Sequence, residues 1–153
     1  MKKSAGILLY RKIKTKLEVL LVHPGGPFWK NKDEGSWSVP KGEFNDDEDA
    51  LDAATREFEE ETGFTCSGNF IALSPVKLSS GKIVYAWALE KNIDAEKVKS
   101  NEFEMEWPPK SGKKQRFPEI DKAQWFSSGE ARQKINASQA AFIDELVTII
   151  KLS

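Results

Sequence analysis

Glu57, Glu60 and Glu61 stand three and four residues apart, within a stretch otherwise built mostly of good helix formers. On a helix turning about 100° per residue they share an arc of roughly 100°. Ala50 and Ala53 lie one turn earlier in that arc, and their small size leaves space beside the carboxylates. Leu51, Ala54 and Phe58 fall within a separate arc of roughly 60°, which suits a core-facing stripe. Asp49, Asp52 and Glu59 point elsewhere, towards solvent. Three carboxylates on one face repel each other and weaken a helix unless a cation offsets their charge. A donor set made only of oxygens suits a hard divalent ion such as Mg²⁺, which binds through a few carboxylates, waters and substrate phosphates. Such an ion neutralises phosphate charge and activates a water, so the chemistry expected here is hydrolysis of a phosphoric anhydride. Taken alone, the acidic triplet describes a solvated helix face better than a metal site.

The surrounding residues separate the two readings. Gly42 is followed after five residues by Glu48, and after seven more by Arg56-Glu57-Phe58. One further residue leads to Glu60-Glu61, and another to Gly63-Phe64. This pattern fixes nine positions across 23 residues and resembles the Nudix box at every defining position. The resemblance implies an α/β/α sandwich with a mixed sheet, an α+β arrangement. It also implies attack of water on a nucleoside diphosphate linked to another moiety, with Mg²⁺ or Mn²⁺ as cofactor. Carried over by position, Glu57, Glu60 and Glu61 are the implied metal ligands, joined by the Gly42 carbonyl. Glu48 and Arg56 are the implied salt bridge holding loop to helix, a role that a bidentate guanidinium–carboxylate pair suits. The box ends with Gly63 as the helix terminator.

Substrate choice must lie outside the box. The lead-in Pro40-Lys41-Gly42 is similar to that of diadenosine tetraphosphate hydrolases, where triphosphate-cleaving MutT-type members more often have Pro-Gly-Gly. Lys41 is therefore a candidate for a polyphosphate oxygen, its plain alternative being a solvated loop lysine. Trp107 is a candidate base-stacking residue, and Lys113 and Arg116, in a Pro- and Lys-rich loop, are candidate phosphate clamps. Glu119 and Glu104 are equal candidates for the general base. His23, the single histidine, either touches substrate or closes a strand end structurally, and Phe28 and Trp29 either line a base pocket or cap the core. Three functions follow: cleavage of a dinucleoside polyphosphate, cleavage of a nucleoside or deoxynucleoside triphosphate, and non-catalytic nucleotide sensing. The intact set of box carboxylates favours catalysis.

The elements that must position these groups can be read from periodicity. Ala5 to Tyr10 and Leu17 to His23 are expected strands joined by a charged loop, and Pro24 to Gly35 an irregular glycine-rich loop. Trp37 to Val39 reads as a short strand stopped by Pro40 and Gly42, and the acidic helix as Asp46 to Thr62. Phe70 to Leu78 and Lys82 to Leu89 are expected strands around a Ser79-Ser80-Gly81 turn. Asn101 to Trp107 alternates, with Phe103, Met105 and Trp107 on one face. A loop from Pro108 to Pro118, a strand from Lys122 to Phe126, a helix from Gly129 to Ile135 and a helix from Gln139 to Leu152 capped by Ser138 complete the chain. At 153 residues a single domain spanning the whole sequence is expected. With 23 basic against 24 acidic side chains, the net charge of -1 argues against a nucleic-acid or membrane partner and for a small nucleotide substrate. Cys66 stands alone, so no internal disulfide forms, and a cytoplasmic setting is expected.

Overall fold

A computed structural model describes residues 2–153; Met1, at one end of the expected domain, lies outside them. β1 (Lys3–Ile13) is apolar through its buried middle, Ala5 to Tyr10, as a strand covered on both faces must be. It sits inside a mixed sheet, parallel to β6 (Ile83–Glu90) on one side. On the other side it is antiparallel to β2 (Lys16–Pro24) and to β3 (Lys41–Phe44). Short strands β4 (Ile71–Ala72) and β5 (Val76–Lys77) flank β6, and β9 (Ile120–Ser127) closes the far edge along β2. A separate two-stranded ribbon is formed by β7 (Glu102–Glu106) and β8 (Lys114–Pro118).

Helices cover both faces. On one, α1 (Ala50–Thr62) packs Ala53, Ala54 and Phe58 against Ala5, Ile7, Leu9 and Leu20. On the other, α2 (Ser128–Lys134) and α3 (Ala140–Ile150) pack Ala131, Phe142, Ile143 and Leu146 against Leu8, Leu21 and Val84. The odd and even residues of β1 thus feed two different cores, as strand alternation requires. Phe58 is fully buried, so Phe58→Ala would cost about 3–5 kcal/mol and loosen the helix that carries the carboxylates. None of the described helices is long and apolar enough to cross a membrane. Cys66 is free and half-buried, packed at the edge of the α1-side core.

The sandwich and its mixed sheet agree with expectation, while five local readings need correction. The acidic helix begins at Ala50 because the Asp49 side chain accepts a hydrogen bond from the Asp52 N–H as N-cap, so Asp46 to Glu48 are loop. Lys41 to Phe44 do not stop a strand but form β3, pairing across Gly6 to Lys3. The expected strand Phe70 to Leu78 is broken into β4 and β5. Most of the expected loop's end, Lys114 to Pro118, is strand β8, and α3 is preceded by a 3-10 turn (Ala137–Gln139) capped by Asn136, not by Ser138.

Candidate active site

The loop–helix–loop from β3 to the end of α1 places the box residues at one corner of the sheet. Asp49 starts the helix, and Gly63 ends it at φ 80°, a left-handed conformation open to glycine, with its N–H bonded to the Glu59 carbonyl. Behind the helix, Gly42 in β3 lies directly beneath the Glu57 carboxylate. A Cβ built on Gly42 would fall 2.0 Å from the Glu57 carboxyl carbon, so only glycine permits this approach.

Arg56 organises the acidic face. Its Nε and Nη2 each donate to Glu48 at 2.9 Å, a bidentate fork that holds the loop before α1 against the helix. Its Nη1 donates to Glu57 Oε1 at 2.9 Å and reaches Glu60 at 3.4 Å. This contact set raises the Arg56 pKa and lowers that of Glu48. Burial, and secondarily the neighbouring Glu60, raises Glu57 despite the Arg56 hydrogen bond. Glu61 is pushed up to about 8, first by burial and then by Glu57 and Glu119, while the Lys41 N–H donating at 3.1 Å opposes the shift. The Lys41 ammonium is half-buried on β3, not solvated in a loop, and burial together with Lys82 lowers its pKa.

Main-chain bonds draw Glu119 towards this cluster. The Asn101 N–H donates to the Glu60 carbonyl at 3.1 Å, the Glu119 N–H to the Asn101 carbonyl at 2.9 Å, and the Gly25 N–H to the Glu119 carbonyl at 2.9 Å. The Glu119 carboxyl is raised by burial and by Glu60. Glu104, by contrast, faces Lys114 across the ribbon at 3.8 Å. Of the two candidate bases, the structure brings only Glu119 beside the box carboxylates.

The donor set of Glu57, Glu60, Glu61 and the cradle over Gly42 fits a hard divalent cation: all are oxygens, and the burial that chiefly raises Glu57 and Glu61, with carboxylate repulsion added to it, is a penalty on negative charge that a cation relieves. Among the described residues no three acidic, histidine or cysteine side chains converge into a ready-made cage.

The remaining sequence candidates lie around a second feature. Trp107 packs edge-to-face on Phe28 at 5.5 Å and lines a cleft between the loop after β2 and the ribbon. Phe28 and Trp29 are 61% and 40% exposed, so neither caps the core. Lys113 is exposed at the ribbon's tip, and Arg116 pairs with Glu102 at 3.2 Å. His23 is 1% exposed, with Nδ1 2.8 Å from Asp121 Oδ1 and Nε2 2.6 Å from the Lys32 carbonyl, which places it in a structural role. Sequence reading missed Gln115, Phe117 and Asp121, which line the cleft. Phe117 alone carried a signal, since it faces Phe103 once β8 is recognised as a strand.

Comparison with known proteins agrees with this geometry. The family model described as NUDIX domain matches residues 2–146. Over 63 residues the chain is 38% identical to the bis(5'-nucleosyl)-tetraphosphatase [asymmetrical] of Caenorhabditis elegans, a stretch that is 41% of this chain and 41% of that protein. The crystal structure of a C. elegans Ap4A hydrolase binary complex superposes with a TM-score of 0.68 at 23% identity, covering 99% of this chain and 98% of that one. The NUDIX domain of Shewanella oneidensis NrtR, solved with ADP ribose, superposes at 0.65 with 14% identity over 97% of this chain and 87% of that one. At these identities the two structures establish the fold.

Proposed function

Because the chain belongs to the NUDIX domain family, we propose that it is a metal-dependent pyrophosphohydrolase acting on a nucleoside diphosphate linked to another moiety, with a dinucleoside polyphosphate as the first substrate to try. The observation that carries this reading is the Glu57 carboxylate seated over Gly42 beside Glu60 and Glu61, with Arg56 and Glu48 fixing its approach. A divalent ion, Mg²⁺ or Mn²⁺, supplies charge neutralisation on the anhydride and a more acidic water when bound there. Glu57, Glu60 and Glu61 would hold it, with the Gly42 carbonyl as the further ligand that the family resemblance implies. Glu119, brought beside the carboxylates by its main-chain bond to Asn101 and raised above the usual carboxylate range by burial and Glu60, takes the proton of the attacking water. Lys41, half-buried against Glu61, offers its ammonium to a phosphate oxygen, Lys113 meets outer phosphates, and Trp107 stacks on a base. Arg116 joins Lys113 only by leaving Glu102. The family resemblance of the Pro40-Lys41-Gly42 lead-in, and the partial match to a tetraphosphatase, favour the dinucleoside over a nucleoside triphosphate.

The test is hydrolysis of diadenosine polyphosphates, nucleoside and deoxynucleoside triphosphates and ADP-ribose in Mg²⁺ and in Mn²⁺, with products separated by chromatography. Cleavage of at least one is expected, and Glu60→Gln should abolish most of it. If no anhydride is cleaved by protein that demonstrably binds the metal, the enzymatic reading is wrong and nucleotide sensing replaces it.

A further inference from the structure

The cleft beside Glu119 has a volume of about 480 Å³, within the range of small-molecule sites. Its walls are Pro27 from the loop after β2 and Trp107 and Phe117 from the ribbon, with Gln115, Asp121 and Lys30 as its polar side chains. Pro118, one of its lining residues, immediately precedes Glu119, the residue that feels the charge of Glu60. Flat aromatic walls of this kind stack on a nucleobase.

The polar groups have a definite sense. Gln115 Nε2 is already committed to the Trp107 carbonyl at 2.9 Å, which leaves its Oε1 as an acceptor. Asp121 gives Oδ1 to His23, and its Oδ2 has no hydrogen-bond partner among the described residues. The buried His23 ring lies between Asp121 Oδ1, 2.8 Å from its Nδ1, and the Lys32 carbonyl, 2.6 Å from its Nε2. The ring thereby ties the loop bearing Pro27 and Phe28 to the start of β9, and holds Asp121 with its second oxygen as an acceptor. Lys30, the cleft's cation, is exposed at the rim.

We propose that this cleft is a nucleobase pocket selective for bases bearing an exocyclic amino group, with Trp107 and Phe117 as stacking walls, Asp121 accepting the amino hydrogen, and His23 as the residue that positions Asp121. The proposal rests on the nucleotide reading of the neighbouring carboxylates, but its test does not require hydrolysis. Two pairs of nucleoside 5′-monophosphates differ only by the amino group: adenosine against purine riboside, and guanosine against inosine. Calorimetric titration of each into the full chain without metal measures the amino group's contribution directly, and no anhydride is present to be cleaved.

In at least one pair the amino-bearing member should bind about tenfold more tightly or better, the gain expected of a hydrogen bond to a carboxylate. Asp121→Asn, whose amide keeps an oxygen for His23 and turns an N–H₂ donor to the cleft, should erase or invert that preference. Trp107→Ala should weaken all four by a similar factor, about fivefold to hundredfold. Equal affinities within both pairs for the wild-type protein would overturn the proposal, as would no binding of any of the four. Retained discrimination in a folded Asp121→Asn protein would also overturn it. The wild-type comparison needs no substitution, so an unstable variant cannot shelter the idea.

Discussion

Gly42→Ala is the sharpest test of the carboxylate cradle. The added methyl would sit 2.0 Å from the Glu57 carboxyl carbon and from Oε2, and 2.4 Å from Oε1. Ordinary carbon contacts need about 3.5 Å, so the carboxylate must retreat by about 1.5 Å. The atoms that clash are the tip of a side chain, so the fold yields cheaply: a rotamer adjustment of about 1 kcal/mol, partly offset by the stiffer unfolded chain. For a domain of this size that shifts Tm by no more than about 4 °C. The site does not yield cheaply. Metal–oxygen distances of about 2.0–2.1 Å tolerate little displacement, and a misplacement of about 1 Å in a reacting assembly costs about 10²-fold in rate. The variant should therefore melt close to wild type by calorimetry yet lose about a hundredfold in kcat/KM on whichever nucleotide the wild type cleaves. Gly129→Ala is the matched control: Gly129 lies early in α2 with open space where a Cβ would go, and its substitution should change neither quantity appreciably. Turnover within threefold of wild type in Gly42→Ala would refute the claim that Glu57 must occupy that cradle, as would collapse of the fold.

Two further outcomes follow from the electrostatics. Glu61 is held near 8 in the metal-free protein against an ordinary value near 4.5, so its neutral form stabilises the fold. That contribution is complete below about pH 4.5 and falls as pH climbs through 8, while a divalent cation, competing with the proton, binds more tightly over the same rise. Calorimetry near pH 7 in two buffers of different ionisation enthalpy should reveal proton release on Mn²⁺ binding; identical heats would contradict it. For the base, Glu119→Gln should lower kcat by about 10²–10⁴, whereas Glu104→Gln, which removes only an exposed partner of Lys114, should leave it unchanged. Steady-state kinetics of both variants separate the candidates, and the reverse ranking would exclude Glu119.

What could be read in the sequence was what is local. The carboxylates of α1 are phased by the helix itself, and Gly63 closes it, so that face was legible from spacing alone. The helix start was not, because an aspartate that caps and an aspartate in the first turn look alike until the Asp49–Asp52 bond is seen. Lys41 to Phe44 reads as a breaker because it carries glycine after proline, yet β1 recruits it through pairing some 40 residues away in sequence. Likewise Lys114 to Pro118 has the composition of a loop. A two-stranded ribbon open to solvent tolerates lysines, and a proline at its end, with Phe117 opposite Phe103 as its apolar anchor. His23 was the hardest residue to place, since the Asp121 that answers it lies 98 positions further on.

The three main-chain bonds that run from Glu60 through Asn101 and Glu119 to Gly25 set a span. Backbone, not side chains free to change rotamer, separates the carboxylate helix from the loop that walls the cleft. If a base is held at one end and the anhydride is cut at the other, as proposed above, that span would work as a caliper. Lengthening the polyphosphate of a substrate would then leave the released fragment on the held side constant, and every added phosphate would appear on the other product.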